Sequence, residues 1–400
     1  MNRLGHRLTL LAVAALVCVN GVNAIVKGGD FSVYLDAGQR FIDRTPLYSD
    51  SGVGAGVIGP PFQAAVFVPF AILARANVIA ARLAWYGLNL LLLACGVIWW
   101  VGALAPILGV ALNRCGMPLE STRLILPLVA ILFPLQTNFE HQNLNVVLLA
   151  ITGTSARALT SGRDRLSGAL IGLAVALKAF PALLVVVPFW RRLYGATLIA
   201  IGTSVILTTA AIARYGTSGI DVIRDWLALN AAGAWPIRGN NQSLFAMLAR
   251  YFGPEGLSAQ GHLPRDPHPV IYFGWLVVAA ALIGALSWKF WRWRFAPLAS
   301  FSLAASLIVA VLVAPIAWDH YWTLLFPAFF VVWNAKHPAW LRPAFCASAV
   351  LTSGFSRLTV GVTGLALARQ VSTMTWAGVL LLVAVFAAGD YKARAGKSKG

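Results

Sequence analysis

LSGALIGLAVALKAFPALLVVVPF, residues 166–189, decides how this chain is read. The run is apolar apart from one charge, Lys178, which stands three residues before Pro181. A helix needs roughly 20 apolar residues to cross a bilayer. Only helices and closed barrels satisfy their backbone polar groups in lipid. Barrel strands are about ten residues long and alternate in polarity, and this run does neither. Proline removes a helix hydrogen bond and disfavours helix at the residue before it. A cation in such a run needs an anionic partner, a wet cavity or a snorkelling route. The segment therefore predicts two short half-helices with Lys178 at their tip. Irregular backbone at that depth is tolerated only where it lines protein or a wet cavity.

The same composition recurs outward from this stretch. Candidate spans lie at about 7–26, 57–75, 82–111, 123–137, 142–159, 166–189, 193–214, 270–288, 297–315, 320–334, 341–356 and 371–388. Of the 400 residues, 59% are hydrophobic and 11% charged, against roughly 25% charged in soluble proteins. The fold class is all-α: a polytopic transmembrane helical protein of about 11–13 membrane segments, re-entrant half-helices included. One membrane domain covers residues 1–400, with two long loops at 27–56 and 215–269. Arg3 and Arg7 precede Leu8 to Val19, and Val22-Asn23-Ala24 loosely matches a signal-peptidase site. A retained first helix is expected, since further spans follow.

The net charge of +18 does not imply a nucleic-acid partner, because the arginines sit in short loops beside apolar spans, where the positive-inside rule puts them. Lys392, Arg394, Lys397 and Lys399 make the C-terminal tail cytoplasmic. Lys336 and Arg342, then Lys289, Arg292 and Arg294, then Arg191 and Arg192, then Arg157, Arg163 and Arg165 share that side. The segment ending in Gln370, Trp318–His320, the 215–269 loop and the 138–142 turn face outside. The expected setting is the plasma (inner) membrane. Cys18, Cys95, Cys115 and Cys346 have neither metal nor redox spacing.

The scarce polar residues gather on the outer face. Asp30 follows Gly28-Gly29 at the exit of the first span, at the membrane–water boundary; the other acids of that loop, Asp36, Asp43 and Asp50, read as solvated. Gln142, Asn143 and Asn145 stand between two apolar helices, where amides suit sugar hydroxyls or serve as caps and interhelical bonds. Asn240-Asn241-Gln242-Ser243 starts the amphipathic stretch Leu244–Tyr251, as an anion-binding helix N-terminus or a simple cap. Trp318-Asp319-His320-Tyr321 follows Pro315, as an interfacial aromatic belt or as an Asp–His pair over a cavity. No Walker, Rossmann, zincin or nucleophile-elbow motif occurs.

Taken in series, these pieces resemble glycosyltransferase family 87, polytopic enzymes of the GT-C type. The matching pieces are Asp30-Phe31-Ser32-Val33-Tyr34 through Ala37-Gly38, Pro46-Leu47-Tyr48, Gln142-Asn143-Leu144-Asn145, and Leu177-Lys178-Ala179-Phe180-Pro181 before Arg191-Arg192. Asn241-Gln242-Ser243-Leu244 and Pro315-Ile316-Ala317-Trp318-Asp319-His320 complete them in the family's order. The family's Gly-Gln-x-Asn reads His141-Gln142-Asn143-Leu144-Asn145 here, and its aromatic-Pro-Pro reads Gly59-Pro60-Pro61-Phe62.

The resemblance implies a polyprenyl-phosphate sugar donor, often mannose, a lipid or glycan acceptor, and no metal or cofactor. It implies that Asp30 is the catalytic base. Gln142, Asn143, Asn145, Lys178, Asn241, Gln242, Asp319 and His320 would line the donor-phosphate and acceptor cavity. A single displacement would invert the anomeric centre. Two other readings stay open from the residues: a secondary transporter or flippase of an anionic lipid or solute, which shares broken helices and a buried lysine, and a polymerase or ligase of lipid-linked glycans.

Overall fold

A computed structural model describes residues 19–23, 25–48, 59–231, 235–253, 269–294 and 298–397. Almost all of the described chain is helical, and no strand is present among the described residues beyond two isolated bridges, Leu112 with Pro118 and Asn241 with Trp318.

Among the described residues, four helices are long and apolar enough to cross a membrane: Val78–Leu108, Tyr194–Ala213, Pro269–Trp293 and Thr373–Ala395. Two bent pairs raise this to six. The expected 11–13 segments are therefore not all full-length helices; several, such as Phe180–Trp190 and Ala299–Val313, are short apolar pieces packed inside the bundle. Ala299–Val313 is buried along nearly its whole length, as an all-round apolar helix at the centre of a bundle should be. The outer helices turn Leu198, Ile206 and Phe273 outward, each more than 60% exposed. Such a surface is at home only in lipid.

The breaks have local causes. Thr122–Ala130 and Leu132–His141 meet at 60°. Pro134 has no N–H to offer the Ala130 carbonyl. Ser353 fills the gap: its hydroxyl donates to Ala130 O at 2.9 Å and accepts from the Phe133 N–H at 3.2 Å. The 166–189 run breaks where the sequence predicts. Helix Asp164–Leu177 ends, Lys178 is extended, and a 3-10 turn, Phe180–Val185, leads into Val186–Trp190. Gly168 and Gly172 let this first half lie directly on Tyr194–Ala213; a Cβ at either would come within 2.3 Å of the Ala196 or Ala200 carbonyl oxygen.

Three segments expected as loops are helical. Residues 27–56 contain helix Gly29–Asp43, which buries Phe31, Tyr34, Ala37 and Gly38 on one face. Its charges, which read as a solvated loop, occupy the other face, where Arg40 pairs with Asp36. Residues 215–269 contain Gly219–Ala231 and Leu244–Phe252, the latter capped by Ser243 as its sequence suggests. Arg357–Gln370, bent 86° from the helix before it, opens with a Ser356–Thr359 capping box. The expected first span, 7–26, lies mostly outside the described residues.

The bundle has two chemically distinct ends. Thr373–Lys397, about 37 Å long at 1.5 Å per residue, starts beside Gln242, whose Oε1 accepts from the Met374 N–H. Asp390, which pairs with Lys289, lies about 26 Å along it from Thr373. The basic end and the polar, acid-bearing end are thus separated by roughly the depth of a bilayer.

Candidate active site

At the polar end lies a cavity of about 880 Å³. Leu276, Ile283, Ala310 and Val313 give it an apolar wall, and segments from distant parts of the chain give it a polar floor.

Asp30 reaches this floor through two left-handed glycines. Gly28 (φ 66°) and Gly29 (φ 47°) turn the chain into helix Gly29–Asp43, so that Asp30 sits in its first turn. A Cβ on Gly29 would stand 2.6 Å from the His141 Cα, so this close approach requires glycine. On the facing side, helix Leu132–His141 ends with Gln142 in the left-handed conformation (φ 52°). That turn swings Asn143 towards Asp30. Its amide nitrogen donates to Asp30 Oδ2 at 2.5 Å and to Tyr34 Oη at 2.9 Å. Burial lifts the Tyr34 phenol above its ordinary range, with the Asp30 charge adding to it, so the hydroxyl keeps its proton.

Lys178 enters from the broken helix. Its ammonium donates to Asn143 Oδ1 and Asn145 Oδ1, both at 3.1 Å, and lies 3.6 Å from the centre of the Tyr321 ring. No carboxylate is within ion-pair distance of it among the described residues. Asn145 also donates to the His320 carbonyl at 3.1 Å. His320 turns Nε2 towards Asp30 Oδ2 at 3.7 Å, and that nitrogen is buried with no hydrogen bond. Next to it the buried Asp319 pairs with Arg369. Among the described residues no three His, Cys, Asp or Glu side chains are grouped so as to hold a metal ion.

The arrangement offers a carboxylate able to take a proton, a cation held by neutral amides and open to an anion, and an apolar wall beside both. The glycosyltransferase family 87 pattern matches residues 58–317. The chain belongs to glycosyltransferase family 87. It is a membrane glycosyltransferase, and this membership separates it from the transporter reading. Two curated relatives come from Mycolicibacterium smegmatis. A polyprenol-phosphate-mannose-dependent alpha-(1-2)-phosphatidylinositol mannoside mannosyltransferase is 25% identical over 88% of this chain and 76% of its own length. A polyprenol-phosphate-mannose-dependent alpha-(1-2)-phosphatidylinositol pentamannoside mannosyltransferase is 26% identical over 96% of this chain and 85% of its own. A third, from Mycobacterium tuberculosis and of the first type, is 23% identical over 78% and 72%. No solved structure matches.

The family 87 match covers Asn143 and Lys178 but not Asp30, Asp319 or His320, which flank it in sequence and join it only in space. Of the residues expected to form the site, Asp30, Asn143, Lys178, Asp319 and His320 line the cavity, and Asn145 supports Lys178 from behind. Gln142 does not line it; its backbone carbonyl accepts from the Trp85 indole at 2.8 Å. Asn241 and Gln242 are fully buried and occupied with backbone groups. Asn241 donates to Pro236 O (2.7 Å) and Pro315 O (3.1 Å) and accepts from the Ala317 N–H (2.9 Å). Gln242 donates to Gly239 O (2.6 Å) and Arg369 O (2.9 Å). Of the basic residues that line the cavity, Arg238 and Arg369 escaped the sequence reading. Arg238 stands two residues before the Asn240–Ser243 cluster, whereas nothing local marks Arg369.

Proposed function

We propose that this enzyme transfers a mannosyl group from a polyprenyl-phosphate donor to a hydroxyl of a lipid-borne acceptor at the outer face of the plasma membrane, with inversion. The observation that carries the reading is the Asp30–Asn143–Lys178 bridge, which brings a carboxylate and an ammonium onto one cavity floor. The relatives' names support the donor and a lipid acceptor. The basic end opposite the cavity supports the outward orientation and a cytoplasmic C-terminus.

In this mechanism the acceptor oxygen attacks the anomeric carbon as Asp30 takes its proton. The bond from that carbon to the phosphate oxygen breaks, and the electron pair leaves with the polyprenyl phosphate. Lys178 meets the charge that grows on that oxygen in a low-dielectric site. Positive charge builds on the sugar ring in between, as in glycoside hydrolysis. Asn143 positions both ends, and His320 lies against the carboxylate. Asn145 holds Lys178, while Asn241 and Gln242 act by fixing the segment from Pro236 to Asn240 that lines the cavity.

The test is transfer itself. Membranes containing the protein, supplied with labelled polyprenyl-phosphate mannose, should yield a labelled lipid product that membranes lacking it do not. Absence of such product, with the protein present and folded, sinks the reading.

A further inference from the structure

Asp319, His320 and Tyr321 open a 3-10 helix, in which successive residues point about 120° apart. They accordingly meet three different groups. Asp319 holds Arg369, His320 faces Asp30 at 3.7 Å, and the Tyr321 ring lies 3.6 Å from the Lys178 ammonium. The cavity therefore carries two cationic stations beside the Asp30–His320 pair.

Lys178 is the station given above to the leaving phosphate. The second station has no part in that step. It consists of Arg369 and Arg238, both lining the cavity. Backbone contact brings them together: a Cβ on Gly239, the neighbour of Arg238, would stand 3.1 Å from Arg369 Cβ, and Gln242 donates to the Arg369 carbonyl at 2.9 Å. Asp319 balances only one of the two guanidinium charges. Arg238 is exposed and forms no ion pair among the described residues, while Arg369 keeps a buried Nε without a hydrogen-bond partner. Guanidinium groups suit phosphate oxygens through paired N–H donors.

We propose that Arg238 and Arg369 bind the phosphate of an anionic phospholipid acceptor. This rests on the proposed function, in which Lys178 serves the donor. Two phosphates at one station would repel each other, and separate stations let the donor and acceptor phosphates be held at once in the cavity that Asp30 lines.

The experiment uses the full chain in phosphatidylcholine nanodiscs and two labelled probes, phosphatidylinositol and polyprenyl phosphate. Arg238→Gln should weaken phosphatidylinositol binding by about tenfold, the worth of one charge-assisted hydrogen bond, and change polyprenyl-phosphate binding by less than about twofold. Arg238→Glu should weaken phosphatidylinositol further, and Lys178→Ala should show the opposite selectivity. Unchanged phosphatidylinositol binding in both Arg238 variants, or equal weakening of both lipids, overturns the proposal. Full displacement of the lipid probe by inorganic phosphate at the probe's own concentration would reduce the station to a free-anion site and overturn it too. If Lys178→Ala leaves polyprenyl-phosphate binding intact, the donor assignment fails, and the Arg238 variants still decide this inference.

Discussion

Asp30 and Lys178 are joined through one amide. Asn143 donates to the carboxylate at 2.5 Å and accepts from the ammonium at 3.1 Å. The two charges are thereby held apart at a fixed separation and not collapsed into a salt bridge, which leaves each free for its own part of the reaction. Removing the amide should release both. Asn143→Ala is expected to lower kcat/KM by roughly 10- to 100-fold, the range for losing a hydrogen bond to a charged group. Folded yield should stay near wild type. Steady-state transfer with expression-matched protein checks this; near-normal turnover would show that the bridge is incidental.

The Lys178 ammonium can be tested by shape as well as charge. Lys178→Ala removes the counter-charge for the leaving phosphate and should cut turnover strongly. Lys178→Arg keeps the charge but brings a planar fork into a place built for a point charge over the Tyr321 ring, and should retain part of the activity. A merely snorkelling lysine would leave the alanine variant fully active.

Asn241 and Asn143 should behave as opposites. The three hydrogen bonds of the Asn241 side chain to Pro236, Pro315 and Ala317 tie two chain segments together. Leaving these buried groups unpaired costs about 1–3 kcal/mol each, so Asn241→Ala is expected to lower thermal stability in detergent before it alters KM. A selective rise in KM at unchanged stability would return Asn241 to the substrate.

Gly29→Ala tests how Asp30 is placed. The added methyl meets the His141 backbone, and the left-handed φ disfavours any side chain. A stability loss of about 1–3 kcal/mol is expected together with loss of transfer. Gly195→Ala, which meets nothing within 4 Å, is the control and should be neutral. Equal behaviour of the two variants would contradict the account.

Much of this architecture is legible in the sequence because its causes are local. Pro181 announces the break at Lys178, and Ser243 announces the cap of Leu244–Phe252, through chemistry confined to a few residues. Helix Gly29–Asp43 is hidden because Asp36, Arg40 and Asp43 on its outer face obscure an apolar face only four residues strong. The repair of the Pro134 break by Ser353 joins residues more than 200 positions apart, and no local pattern encodes it. The same holds for Asn241 and Gln242: their amides look available in sequence, yet their partners are backbone groups, four of them on remote segments. Arg369 completes the site only because a bent helix returns it to Asp319.

Orientation is open to labelling in a background without cysteines. Arg238→Cys, exposed at the cavity end, should react with an impermeant thiol reagent in intact cells. Arg292→Cys, exposed at the basic end, should react only after permeabilisation. The reverse pattern would invert the topology and with it the outward-facing site.

The central claim is that the Asp30 carboxylate accepts the proton of the acceptor hydroxyl, and the most direct measurement is transfer from polyprenyl-phosphate mannose by Asp30→Asn at matched protein level. The asparagine keeps the shape and the neighbours of the side chain and removes the base. A loss of about 10²- to 10⁴-fold with unchanged membrane insertion is the result this mechanism predicts, and activity within about threefold of wild type would contradict it.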